Sequence, residues 1–128
     1  MPKFLSQEWH EATLKMAESQ PHRPDASARM QYVVLGGPEG DIRYYWLLEE
    51  GKLLEAQLGD MEEPEITLTQ TYEDAASIQK GELDATAAFM QGRVKVAGNM
   101  AKLMALLPLT NSPEYKQLQD EIRQITEY

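Results

Sequence analysis

The sequence contains no cysteine and only two histidines, His10 and His22. Without cysteine the chain can form no disulfide, no thiolate nucleophile and no cysteine-liganded metal site. The pair His10-Glu11 lacks the second histidine that a zinc-binding helix requires. We therefore expect no metal site and no cofactor, and we interpret His10-Glu11 as a pair on the protein surface.

Positive charge and long apolar runs are also scarce. The 12 Lys and Arg face 21 Asp and Glu, which gives a formal net charge of −9. Such a charge repels phosphate backbones and anionic lipid surfaces, so we expect no nucleic-acid partner and at most transient membrane contact.

The longest apolar run, residues 100–109, is shorter than the roughly 20 residues that cross a bilayer. The N-terminal residues have no apolar core for export, and we expect a cytoplasmic location.

What the sequence does contain is the composition of a globular domain, with 42% apolar and 26% charged residues. Its first half predicts one helix and four strands. Ser6 can cap a helix that runs through about Glu18, and the period then changes to the alternation typical of a strand from Met30. Further strands are predicted over 42–49, 52–58 and 66–70, separated by short turns in the form of a four-strand meander.

The second half predicts four helices and one more strand. Thr71 opens a helix with Asp74 in the capping-box position, and a second helix over residues 83–91 ends at Gly92. A short strand over 94–98 leads to a helix that begins after Asn99 and that Pro108 should end. Ser112 and the following proline then start a last helix. The element order predicts an α+β fold.

Two compositional features allow more than one interpretation. Met30, Met90, Met100 and Met104 lie on segments with other large apolar residues, where methionine can either fill a core or line a cavity for a variable apolar guest. Between residues 49 and 65, seven acidic residues face one lysine. This run is either a solvated sheet edge or a docking patch for a basic partner.

Residues 83–103 carry a more specific pattern. A helix ending in Ala-Phe-Met-Gln-Gly at residues 88–92 is followed by a short strand with alternating basic residues, a Gly-Asn pair and an apolar helix. This stretch resembles the signature of the sterol carrier protein type 2 family. The hairpin at residues 47–52 and the strand at 65–71 are also similar to that family's sheet, so the resemblance covers about residues 30–107.

The resemblance implies a single-domain, bacterial-type member over residues 1–128, with its core at about 30–107 and an extra C-terminal helix over 113–127. The peroxisomal address of eukaryotic members is missing, because the chain ends in Ile-Thr-Glu-Tyr. It further implies a five-stranded, mostly antiparallel sheet covered by helices, with an apolar cavity between them. The implied activity is non-covalent carriage of fatty acids, acyl-CoA, sterol-like lipids or phospholipids. The residues expected to line the cavity are Tyr32, Val34, Tyr44, Trp46, Phe89, Met90, Met100, Leu103, Met104 and Leu107.

Three points stay open at the level of sequence. The strand over 42–49 is apolar on both faces, so either Tyr44 and Trp46 or the alternating set with Tyr45 can point inward. A structural or interaction module with a closed pocket, for instance a homodimer, is one alternative to a lipid carrier. A small-molecule isomerase that uses Asp74 or Asp84 as general base is another.

Overall fold

The computed structural model describes residues 1–128 and has a five-stranded sheet with five α-helices, which confirms the predicted α+β fold class. The strands are β1 Ala28–Gly37, β2 Gly40–Glu49, β3 Lys52–Leu58, β4 Ile66–Thr71 and β5 Lys95–Gly98. The helices are α1 Gln7–Met16, α2 Tyr72–Gln79, α3 Ala85–Met90, α4 Met100–Thr110 and α5 Pro113–Ile125. None of the helices combines the length and the apolar character that a membrane crossing requires.

Capping side chains determine where the helices begin. The residues Ser6, Thr71, Asp84, Asn99 and Ser112 each accept a hydrogen bond from the backbone N–H three residues further on. Each bond satisfies a donor that has no partner within the helix, and such a cap contributes typically about 1 kcal/mol. Because Asp84 is a cap, α3 begins two residues after the predicted start.

The prediction that Pro108 ends the fourth helix is wrong, since α4 continues to Thr110. Proline removes the hydrogen bond to the carbonyl of Met104, four residues earlier. Met104 lies on the solvent side of α4, where water can satisfy that carbonyl. Leu106 and Leu109 are buried on either side of the proline and hold the helix against the sheet.

The strand order is β3-β2-β1-β4-β5, and it differs from the predicted four-strand meander. Only β1, β2 and β3 form a meander. The chain then crosses to the other side of β1, where β4 pairs with β1 in parallel. The other neighbouring pairs are antiparallel, so the sheet is mostly antiparallel as predicted. Alternation of side chains along a segment indicates that the segment is a strand, but it does not indicate which strand lies beside it.

The segment that crosses the sheet, residues 59–65, is anchored at its start by Gln31 of β1. The Gln31 side chain is buried, and its Nε2 donates to the carbonyls of Tyr44 at 3.0 Å and Gly59 at 3.2 Å. Its Oε1 accepts from the backbone N–H of Met61 at 2.9 Å. One buried amide therefore satisfies a carbonyl of β2 and two backbone groups at the start of the crossing segment.

Arg29 anchors the other end of the crossing segment. Its guanidinium donates to the carbonyls of Glu62 and Glu63, and its backbone N–H donates to Oε1 of Glu65 at 3.0 Å. Glu65 also accepts from Nζ of Lys102 at 2.7 Å, which joins the segment to α4. The Lys102 contact and the bond from the Arg29 backbone lower the pKa of Glu65, although burial acts the other way.

Two glycines permit the tight connection around β5. Gly92 has a φ of 77°, the left-handed conformation that ends α3 and that the sequence pattern predicts for it. Gly98, at the end of β5, has a φ of 114°, and a Cβ there would overlap the backbone carbonyl of Glu65. The same Glu65 carbonyl accepts from the N–H of Asn99, so the start of α4 is held directly against the sheet.

The core lies on one face of the sheet in two clusters. The first packs α1, α2 and α5 against β1 and β2 and contains Phe4, Leu5, Trp9, Ala17, Val34, Tyr44, Ala75, Ala76, Leu118 and Ile122. The second packs α4 against β1 and β4 and contains Ala26, Ala28, Met30, Ile66, Leu106 and Leu109. Tyr44 and Trp46 therefore face the helices, which settles the face of β2 that the sequence leaves open.

His10 belongs to this core and is fully buried, so the interpretation of His10-Glu11 as a surface pair is wrong. The inward face of α1 is formed by Trp9, His10 and Thr13. Nδ1 of His10 accepts from Nε1 of Trp46 at 3.3 Å, and the ring lies 4.6 Å from that of Tyr44. Burial lowers the pKa of His10 to about 4, against a smaller opposing effect of the Leu5 backbone.

We predict an acid-sensitive stability that depends on His10. The His10 imidazole binds a proton near pH 6.5 in the unfolded chain but only near pH 4 in the folded chain. The free energy of unfolding should therefore fall as the pH drops from about 6.5 to about 4. The loss should reach about 3 kcal/mol below pH 4. His10→Gln can keep an acceptor for Trp46 but has no proton to bind, and urea titrations should show a flatter profile. Equal slopes in the wild-type protein and His10→Gln would refute this prediction.

We also predict that Gln31 is required for the crossing segment. Gln31→Leu removes the side-chain partners of Tyr44, Gly59 and Met61, and it should lower the free energy of unfolding by about 2–4 kcal/mol. Gln57→Leu, an exposed substitution on β3, should change it by less than about 0.5 kcal/mol. Denaturant unfolding of both variants measures the difference, and similar values for the two would contradict the role of Gln31.

Candidate functional site

A cleft of about 90 Å³ lies between the helix-covered face of the sheet and α1, α4 and α5. The strands supply Met30, Tyr32, Trp46, Leu48, Leu53 and the turn residue Gly51. The helices and the residues that flank them supply Thr13, Ala17, Gln20, Gln79, Leu106, Leu109, Thr110, Tyr115, Leu118, Gln119 and Ile122. The cleft touches both core clusters and lies where they meet.

The floor of the cleft follows from strand alternation. Met30 and Tyr32 are two residues apart on β1, and Trp46 and Leu48 are two residues apart on β2, so each pair points to the same face. Met30 lies directly opposite Trp46 in the antiparallel pairing. Tyr32 stacks on Tyr44 with the ring centroids 4.5 Å apart and packs edge-on to Trp46. These contacts form an aromatic floor.

The opposite wall is formed by α4 and α5. Leu106, Leu109 and Thr110 are spaced three or four residues apart on α4 and therefore share one face. On α5, Leu118 and Ile122 repeat that spacing, and both are buried. Because every face-sharing position is apolar or uncharged, the wall can contact an apolar molecule without desolvating a charge.

Three buried polar atoms of lining residues have no hydrogen-bond partner within the chain. They are Oγ1 of Thr13, Oε1 of Gln20 and Nε2 of Gln79, and all three atoms are buried. The other polar side chains of the lining are paired: Nε2 of Gln119 donates to the hydroxyl of Tyr115 at 3.4 Å, and Thr110 donates to a backbone carbonyl. An unpaired buried polar group costs about 1–3 kcal/mol.

The lining contains no charged residue. Burial raises the pKa of Tyr32 well above its usual value, and the neighbouring Tyr44 and Tyr115 hydroxyls add to this effect. Burial likewise raises the pKa of Tyr115, partly offset by the hydrogen bond from Gln119. The surroundings of the cleft therefore disfavour a negative charge.

The cleft is small in this conformation. A cavity of about 150 Å³ that is lined by apolar side chains can bind benzene, and the volume here is about 90 Å³. A long-chain guest therefore requires the cleft to widen.

Tyr32 and Trp46 are the two predicted lining residues that line the cleft. Val34 and Tyr44 are buried next to it in the first core cluster. Leu103 packs on the second cluster and Leu107 is half-buried, and neither lines the cleft.

The other predicted residues lie at the surface. Phe89 and Met90 on α3 are 37% and 82% exposed, and Met100 and Met104 on α4 are 43% and 59% exposed. The fourth helix is apolar on most of its circumference, so its sequence does not indicate which side faces the sheet. For all four residues a role in binding stays a prediction.

The sequence prediction missed several residues that line the cleft. Thr13 and Ala17 lie on the inward face of α1, and Tyr115, Leu118 and Ile122 lie on α5. The only sequence signal for these residues was the spacing of Leu118 and Ile122, which predicts a helix with one apolar face. What that face covers depends on where the hairpin of α4 and α5 docks.

The carboxylates considered for catalysis lie outside the cleft. Asp84 caps α3 through a bond from the N–H of Ala87 at 3.0 Å, and Asp74 lies 3.9 Å from a guanidinium nitrogen of Arg93. No three histidine or carboxylate side chains are grouped so that they could hold a metal ion.

Comparison with known proteins places this architecture in a family. The sequence model of the SCP-2 sterol transfer family matches residues 11–111. A comparison with curated proteins gives no match. Among solved structures, a conserved hypothetical protein from Thermus thermophilus is 18% identical with a TM-score of 0.73, over 100% of this chain and 93% of that chain.

Two further structures have similar folds. A sterol carrier protein 2 is 18% identical with a TM-score of 0.73, over 95% of this chain and 98% of that chain. The palmitated sterol carrier protein 2 like 2 from Aedes aegypti is 19% identical with a TM-score of 0.63, over 82% of this chain and 90% of that chain. At these identities the structures show a shared fold.

The family match over residues 11–111 establishes the assignment that the signature at 83–103 predicts, and the chain belongs to the SCP-2 sterol transfer family.

Proposed function

We propose that the protein binds a lipid-like apolar molecule in the cleft between the sheet and the α4–α5 wall, and carries it without covalent chemistry. The observation that carries this proposal is the cleft itself, which is mostly apolar and has no charged residue in its lining. Membership of the sterol transfer family supports it. The proposed ligand classes are fatty acids, acyl-CoA, sterol-like lipids and phospholipids.

Burial of an acyl chain can supply the binding energy. Each methylene removed from water contributes about 0.8 kcal/mol, so a chain of about twelve carbons gains roughly 10 kcal/mol before the cost of association is subtracted. An apolar lining gives this energy to any chain that fits. Such a site discriminates weakly between guests that differ by one carbon.

Entry of the guest requires the helices rather than the sheet to move. The floor is held by continuous backbone hydrogen bonds between β1, β2 and β4. Beyond the backbone bond that holds the start of α4 at Glu65, the wall packs on that floor through side chains such as Leu106, Leu109 and Leu118. Displacement of α4 and α5 widens the cleft without breaking a strand pairing.

The net charge of −9 bears on where the guest is exchanged. Repulsion from an anionic bilayer keeps membrane contact transient, and it disfavours tight binding of the acyl-CoA phosphates. The absence of cysteine fits a reducing compartment, and we propose the cytoplasm.

Native mass spectrometry after gentle purification tests the proposal, and two substitutions make the test specific. Leu53 lines the cleft, whereas the next residue, Leu54, is 48% exposed. Leu53→Trp fills part of the cleft and should reduce the fraction of protein with bound lipid at least about tenfold. Leu54→Trp adds the same side chain outside the cleft and should leave that fraction unchanged.

Circular dichroism confirms that both variants are folded, since overpacking at Leu53 can cost about 1–3 kcal/mol of stability. If wild-type protein carries no lipid and its tryptophan fluorescence does not respond to added fatty acids or fatty alcohols, the proposal is wrong. Equal loss of bound lipid in both variants would place the binding site elsewhere.

A further inference from the structure

Exposed apolar side chains are concentrated at one edge of the sheet, where β5 is the outermost strand. Nine large apolar side chains of the chain are exposed, and four of them lie within sixteen residues, namely Phe89, Met90, Met100 and Met104. The other five are spread over the rest of the chain. Single exposed apolar residues are ordinary on a protein surface, whereas a group of them marks a surface that contacts something else.

Backbone contacts hold the two helices that carry these side chains at the two ends of β5. The N–H of Arg93 donates to the carbonyl of Ala88 at 2.9 Å, which keeps the end of α3 beside the start of the strand. The N–H of Asn99 donates to the carbonyl of Glu65 at 2.8 Å and fixes the start of α4 at the other end. Since the four residues of β5 span about 13 Å, residues 89–104 form one surface, which we call the β5 edge surface.

The fourth helix lacks a partner on its outer side. Leu106 and Leu109 are buried against the sheet, while Met100 and Met104, one turn apart, are exposed. Lys102 is the only charged residue of the helix. A helix that is apolar on nearly all sides is normally enclosed by protein or by lipid, so the exposed side of α4 is expected to meet an apolar partner.

The charge of this part of the chain is opposite to that of the whole. No acidic residue occurs over residues 85–113, and the range contains three basic residues, which are Arg93, Lys95 and Lys102. All 21 acidic residues and the other nine basic residues lie outside this range. A basic and apolar segment therefore stands out from an acidic protein.

Two of the three basic groups are available to a partner. Lys95 is exposed and forms no ion pair. The half-exposed guanidinium of Arg93 has its nearest carboxylate, that of Asp74, at 3.9 Å. Lys102 is bound to Glu65 at 2.7 Å and is the least available. The free positive charge thus lies beside Met90, at the start of β5.

These features favour a lipid bilayer over a second copy of the chain. Two copies joined through this surface would bring like charges together, which opposes association. Lipid phosphates are of opposite charge to Arg93 and Lys95, and the interfacial layer of a bilayer accepts apolar side chains. Charges beyond about 8 Å are largely screened at physiological ionic strength, so the local basic groups determine which side of the protein meets the membrane.

We infer that the β5 edge surface docks on bilayers that contain anionic phospholipid, with its four exposed apolar side chains in the interfacial layer and Arg93 and Lys95 on lipid phosphates. This inference rests on the proposed function, because it names the surface through which the carrier meets a membrane. α4 belongs both to this surface and to the wall of the cleft, so the docked bilayer lies against a helix that must move for a guest to pass.

Co-sedimentation of the protein with lipid vesicles tests the inference. Vesicles of phosphatidylcholine with about 30% phosphatidylglycerol should bind the protein at least about fivefold more tightly than vesicles of phosphatidylcholine alone. Sodium chloride at about 0.5 M should abolish most of this difference, because it screens the contact with the phosphates. Equal binding to the two kinds of vesicle, or no binding to either, would overturn the inference.

A matched pair of double variants locates the apolar contact. Met90→Gln combined with Met104→Gln should weaken binding to the phosphatidylglycerol vesicles at least about tenfold, because two side chains no longer enter the interfacial layer. Leu54→Gln combined with Leu58→Gln is the control on β3, where the two leucines are 48% and 43% exposed. This control should bind as the wild type does, and equal loss in both double variants would contradict the assignment of the surface.

A second pair of variants locates the charge. Lys95→Gln should weaken binding to the phosphatidylglycerol vesicles about three- to fivefold and leave binding to phosphatidylcholine unchanged. Lys15→Gln removes an exposed, unpaired lysine of α1 instead and should have little effect. If the two variants lose affinity equally, net charge rather than the β5 edge surface governs binding and the inference is wrong.

Bound lipid, measured by native mass spectrometry, separates this inference from the function on which it rests. None of the substituted residues lines the cleft, so every variant should carry as much lipid as the wild type. If the wild type carries lipid but binds no vesicles, docking fails and the carrier function stands. If it binds vesicles through this surface but carries no lipid, the carrier function fails.

Analytical ultracentrifugation tests the competing occupant, a second copy of the chain. The inference predicts a monomer at the concentrations used for the vesicle experiments. A dimer that the Met90→Gln and Met104→Gln double variant dissociates would show that the surface joins two copies, and the inference would be wrong.

Discussion

The hydrogen bonds that Gln31 and Arg29 make to the crossing segment are the constraint on which the rest of the structure depends. They hold residues 59–65 across the sheet, so β4 pairs in parallel with β1 instead of continuing the meander. β1 thereby becomes the central strand. β5 and α4 follow on the far side of β4, and α4 returns over Met30 and Ile66. Without this crossing the cleft would have no α4 wall.

The two ends of the chain determine the rest of the enclosure. The N–H of Phe4 donates to the carbonyl of Glu127 at 2.9 Å, and the indole of Trp9 donates to Thr126 at 2.9 Å. α5 is therefore fastened beside α1 just where its apolar residues can close the cleft. The result is a space with an aromatic floor, a helical wall and no charged residue in its lining. Such a lining favours an apolar molecule over an ion.

Local signals account for what sequence reasoning predicted correctly. Caps such as Ser6, Thr71 and Ser112 act on the next three residues, and Gly92 acts through its own φ, so the helix and strand order could be inferred from short windows. The signature at residues 83–103 identified the family for the same reason. Contacts distant in sequence account for the errors: His10 is buried by Tyr44 and Trp46, and Pro108 is kept helical by the packing of its neighbours.

The sequence by itself determined the element order, the α+β class, the family and the apolar character of the interior, because each follows from composition or from neighbours within a few residues. Tertiary structure alone decided which residues surround the cleft. The methionines of α4 lie outside and Leu106 and Leu109 inside because an all-apolar helix takes its orientation from the surface on which it docks. Thr13, Gln20 and Gln79 come from α1, from the residues that follow it and from α2, and only the folded chain brings these three residues around one space.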